Sequence, residues 1–63
     1  MDAIWKIIYD VKWDEDDFTN GRVFVISADH DETAIELLYQ IKGNGLSGEI
    51  INIQSCNLFN PHE

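Results

Sequence analysis

Cysteine, proline and basic residues are all scarce in this 63-residue chain, and each shortage excludes something. Cys56 is the only cysteine, so no internal disulfide can form and no cluster is available for a structural zinc site. Four lysines and arginines stand against twelve acids, a net charge of -8 at pH 7. That leaves too few cations for the basic patch with which nucleic-acid binders displace phosphate counterions, so no direct contact with nucleic acid is expected. No apolar run approaches the ~20 residues that span a bilayer, and no membrane association is expected. The opening residues Met1 to Lys6 lack the basic start and small-residue cleavage site of a secretory leader. A reducing, cytoplasmic setting is the expectation. At this length there is room for one core, and residues 1–63 are expected to form a single small acidic domain.

What is present is ample apolar material. Hydrophobic residues make up 44% of the chain, which argues for a globule over a disordered acidic segment. From position 3 to 13 every odd residue is apolar or aromatic: Ala3, Trp5, Ile7, Tyr9, Val11 and Trp13. A period of two held that long predicts a strand, and the mixed even positions Ile4, Lys6, Ile8, Asp10 and Lys12 predict that it lies centrally in its sheet. Residues 14–21 break the alternation with acids and end in Asn20-Gly21, a pair suited to tight turns. They predict a hairpin connection. Residues 22–28, rich in β-branched and aromatic side chains, predict a second strand.

Asp29 followed by Glu32 has the spacing of a capping box, and Ala34, Leu37, Leu38 and Ile41 recur at helical spacing with Glu32, Glu36 and Gln40 opposite. The helix should end near residue 42, with Gly43-Asn44-Gly45 supplying a left-handed cap. Residues 49–59 predict a third strand whose alternation changes phase between Ile53 and Cys56, as a bulge would cause. Residues 60–63, containing Pro61, predict a polar tail. A right-handed crossover through the helix then gives an α+β fold of ββαβ order: a three-stranded antiparallel sheet, order 2-1-3, with one helix packed on one face. The uncovered face should show Ile4, Ile8, Val23, Val25 and Ile50, an apolar area that predicts an interface with a second copy or a partner.

Sites of chemistry are few. The run Asp14 to Asp17 lacks the alternation and the glycine of a calcium loop and reads as a solvated hairpin tip. His30 stands among carboxylates, but capping explains Asp29 and Glu32, and the only other histidine is His62. Cys56 has no activating neighbour in sequence and reads as a small core residue. The glycines at 43, 45 and 48 follow a helix, where a phosphate-cradling loop would precede one. Trp5, Tyr9 and Trp13 share one strand face and read as core, Trp13 at its margin. No catalytic set, cofactor or metal site can be assembled, and no enzymatic activity is expected.

The stretch Val25-Ile26-Ser27-Ala28-Asp29, then Ala34-Ile35, then Gly48-Glu49-Ile50, resembles the strand, helix and strand of small proteins of phages and mobile elements such as the DpnD/PcfM-like group. The resemblance implies an accessory factor, such as an inhibitor of a host nuclease, polymerase or defence complex, working in the host cytoplasm. Charge placement leads the same way. Asp14, Glu15, Asp16 and Asp17 should lie at one end, with Asp31, Glu32 and Glu36 starting at the other and running along the exposed helix face. Such a surface can occupy a basic groove by imitating the spaced charges of a nucleic-acid backbone. The expected partner is therefore a protein with a basic surface. The alternative expectation is a self-associating module that uses the uncovered sheet face, its acidity serving solubility.

Overall fold

The computed structural model describes residues 2–59. The elements follow in the order β1 (Ala3–Asp14), β2 (Asp17–Ala28), α1 (Asp31–Lys42) and β3 (Glu49–Phe59). The sheet order is β2-β1-β3, with β1 antiparallel to both neighbours. This is the ββαβ, α+β arrangement that the alternation along β1 implies. Its odd-numbered row supplies Ile7, Tyr9 and Val11 to the core, which α1 closes with Ala34 and Leu38, while Phe24, Ala28 and Ile50 complete it from the flanking strands. Ile7, Val11 and Leu38 are fully buried, each contributing roughly 1.5–3 kcal/mol relative to exposure. Trp5 and Trp13 close the two ends of that row. Each satisfies its indole N–H, Trp5 on the Ala28 carbonyl at 3.0 Å and Trp13 on the Thr19 hydroxyl at 2.8 Å.

The hairpin is tighter than its composition implies. Asp14 pairs with Asp17, so the reversal is made at Glu15 and Asp16, and β2 begins at residue 17, not 22. Neither turn residue has a positive φ. Turns without positive φ match strand twist poorly, and Trp13, the extra residue in the register between Lys12 and Asp14, takes up the mismatch. Asn20-Gly21 lies instead within β2 as a bulge. Tyr9 pairs with Arg22 and Val11 with Thr19, leaving both residues opposite Asp10, and Gly21 takes the φ of 73° that the bulge requires.

A second bulge faces the first across β1. Ile8 pairs with Gln54 and Asp10 with Ile51, so Asn52 and Ile53 share one opposite position, with Asn52 at φ 55°. Asp10 joins the two. Its carboxylate accepts the Gly21 backbone N–H at 2.9 Å and the Asn52 side-chain amide at 2.9 Å. The bulge in β3 also changes which isoleucines face inward. Ile50 and Ile53 both reach the core although they are an odd number of residues apart. The expectation that Ile50 lies on the uncovered face is thus corrected: it pairs with Val11 and is 7% exposed.

The helix ends also differ in detail from the sequence reading. His30, in extended conformation, is the N-cap without a side-chain cap bond, and its carbonyl accepts the first helical bond from Ala34 at 3.1 Å. Asp29 sits one residue earlier, where the Thr33 side chain holds its carboxyl below the usual range. At the other end Gly43 is right-handed, and the left-handed residue is Gly45. The buried stripe runs through Ala34, Ile35 and Leu38, which turns Ile41 outward at 53% exposure, and Leu46 from the following loop packs on the core. The expected polar tail at residues 60–63 lies outside the described residues.

Candidate functional site

Apart from Asp10 and Glu49 on the sheet, the described acidic residues sort onto two ends and one side of the molecule. Because β2 finishes beside Ala3, the helix starts at the end of the sheet opposite the hairpin. The long dimension is 43 Å. At the hairpin end Asp14, Glu15, Asp16 and Asp17 are exposed and line a shallow depression of about 330 Å³; the Asp14 carboxylate accepts the Glu15 backbone N–H at 2.8 Å. At the other end Asp29, Asp31 and Glu32 are exposed, and Glu36 continues one turn further along the outer side of α1. The seven acids expected to meet a partner are therefore all accessible, in two groups at opposite ends.

Counter-ions are nearly absent from this surface. Among the described residues the one basic side chain near a carboxylate is His30, 3.9 Å from Asp29 and an ion pair only when protonated, and no lysine or arginine reaches a carboxylate. Hydrogen bonding depresses two carboxyl groups. Asp10 lies below the usual range chiefly through Asn52 and then Gly21. Asp29 lies below it chiefly through Thr33; desolvation opposes this, and His30 adds a smaller lowering. Both bonds favour the ionised form and fix charge in place.

The face of the sheet away from α1 is the second surface. Direct cross-strand partners share a face, so the register defines its rows. Val25, Lys6 and Cys56 form one row, Val23, Ile8 and Gln54 the next, then Asp10 with Ile51, then Phe18, Lys12 and Glu49. Val23 and Val25 are 53% and 52% exposed, whereas Ile4 and Ile8 are half-buried among their neighbours. Ile51 takes the place expected of Ile50. Cys56 is also corrected: it is exposed on this face beside Lys6, its thiol donating weakly to the Asn57 carbonyl at 3.8 Å. The phase change expected between Ile53 and Cys56 falls earlier, at Asn52 and Ile53, because nothing in the local sequence marks a positive φ at Asn52.

The remaining candidates do not converge. His30 is at the helix start with only Asp29 in reach, and His62 lies outside the described residues. Among the described residues no three histidine, cysteine or acidic side chains are disposed to hold a metal ion. A cleft of about 280 Å³ between the end of α1 and the start of β3 is lined by Tyr39, Gly43, Leu46, Gly48, Glu49 and Ile50, with no convergent polar set. Gly48 there is a packing residue: a Cβ would stand 2.7 Å from Val11 Cγ1 and 2.9 Å from the Lys12 carbonyl oxygen. Among the described residues no helix is long and apolar enough to cross a membrane. Compared with protein families, curated proteins and solved structures, the chain gives no match.

Proposed function

We propose that the chain is a small acidic protein-binding module that docks on a basic, nucleic-acid-handling protein and inhibits or modulates it by charge mimicry. The observation that carries this reading is the near absence of counter-ions. Exposed carboxylates stand at both ends of a 43 Å molecule and along its helix, and among the described residues no lysine or arginine comes within ion-pair distance of them. An array left bare over that length projects a field that attracts and orients a basic groove. Solubility alone needs charge but no particular placement.

The test is affinity as a function of salt. A partner captured at low salt from the cells that produce the protein, and identified by mass spectrometry, is titrated with wild type and with the variant carrying Asp16→Lys, Asp17→Lys, Glu32→Lys and Glu36→Lys. Affinity for wild type falls steeply as salt rises, double-stranded DNA competes, and the four reversals weaken binding by about a hundredfold or more. A partner bound equally well by the reversed variant removes the electrostatic reading.

A further inference from the structure

The sheet face away from α1 differs from the rest of the molecule in that its charges cancel. Lys6 and Lys12 stand there with Asp10 and Glu49, while the other described acids lie at the two ends or on the helix side. Along the centre of this face the outward positions of β1 read Lys6, Ile8, Asp10, one cation and one anion placed symmetrically about an isoleucine. We propose that this face pairs with the same face of a second copy of the chain, about a twofold axis that passes over Ile8 and runs across the strands.

The order of the charges selects both the occupant and the axis. A twofold across the strands reverses their direction, so Lys6 meets Asp10 of the second copy, Asp10 meets Lys6, and Ile8 and Val23 each meet their own counterparts. A twofold along the strands would instead set Lys6 on Lys6 and Asp10 on Asp10. Self-complementarity of this kind is a requirement only when the partner is another copy. Asp10 is suited to the contact, since Gly21 and Asn52 already hold its carboxylate in place and a carboxylate has about four acceptor sites. Stacking these faces also turns the acidic helix sides of both copies outward. The four rows already described and a fifth begun by Ile4 and Ser27, across three strands at about 4.8 Å between strands and about 6.6 Å between rows, give a face of roughly 480 Å². Two such faces total roughly 950 Å², the class of weak and reversible interfaces.

This dimer does not depend on the charge-mimicry reading, and salt separates the two. Screening weakens docking on a basic partner, whereas it strengthens association of two copies that each carry -8. Sedimentation equilibrium of the full chain, at concentrations reaching ~1 mM as a weak interface requires, shows a monomer–dimer equilibrium that shifts toward dimer with added salt. Ile8→Lys and Val23→Glu, each verified as folded by circular dichroism, stay monomeric. The axis is tested by cross-linking with bismaleimidoethane. Ile8→Cys in a Cys56→Ser background links efficiently, because facing sheets lie only about 10 Å apart at the axis. The native Cys56, one row off the axis, would stand roughly 17 Å from its counterpart and does not link. A wild type that remains monomeric at the highest concentration overturns the proposal, as does a dimer that survives both substitutions. A dimer cross-linked through Cys56 and not through position 8 overturns the axis.

Discussion

Asp10 governs more of the sheet than its partial exposure implies, because both edge strands bulge at its level and its carboxylate holds one group from each. Its pKa is lowered in the fold, first by Asn52 and then by Gly21. A carboxylate whose folded pKa lies below its unfolded value stabilises the fold above the unfolded pKa, and that contribution is lost as pH falls through the folded value. Asp29, lowered chiefly by Thr33, acts in the same direction at the helix start. Acid should therefore loosen the molecule below about pH 4. In urea titrations Asp10→Ala lowers the midpoint at pH 7 and flattens its decline below pH ~4, because the group whose protonation causes part of that decline is gone. A variant that declines as steeply as wild type would show that the clasp contributes nothing to acid sensitivity.

Among the elements, the helix offers the sharpest contrast between pattern and packing. Spacing alone puts Leu38 and Ile41 on one stripe, yet Leu38 is fully buried and Ile41 is 53% exposed. Leu38→Ala should cost about 2–5 kcal/mol, enough to unfold most of a domain this small, while Ile41→Ala stays within about 0.5 kcal/mol. Thermal melts of the two variants check the pair, and equal losses would mean that the last helical turn packs as tightly as the third. The strands divide similarly into what was legible and what was not. The odd row of β1 announced a central strand, and with the crossover rule that was enough for the order β2-β1-β3. Asn20-Gly21 reads as a turn because the dipeptide suits a turn and a bulge equally; Asp10, eleven residues before Gly21, decides between them. Ile50 was misplaced for the same reason, since its face depends on Asn52, whose side chain bonds 42 residues back. Local patterns carried the elements and their order, and the exceptions are set by contacts distant in sequence.

For the whole molecule, electrostatics and shape combine. A body measuring 43 × 19 × 13 Å keeps its acidic groups at opposite ends of the long axis, with net charge -8 and no lysine–carboxylate pair among the described residues. At ~0.01 M ionic strength the Debye length is about 30 Å, so each end still senses the other; at ~0.15 M it is about 8 Å, and only neighbours within one group interact. Self-repulsion of this kind destabilises the compact state. The melting temperature should consequently rise with sodium chloride, most steeply up to ~0.1 M, and continue more slowly as repulsion within the hairpin tip is screened. Asp16→Asn with Asp17→Asn separates the two contributions. It raises stability at low salt and removes much of the slow phase, while leaving the fold intact because both side chains are exposed at a turn whose backbone needs no positive φ. A melting temperature that falls with salt would mean that attractive pairs outweigh the repulsion, and the acidic array would then be too well compensated to reach for a basic partner.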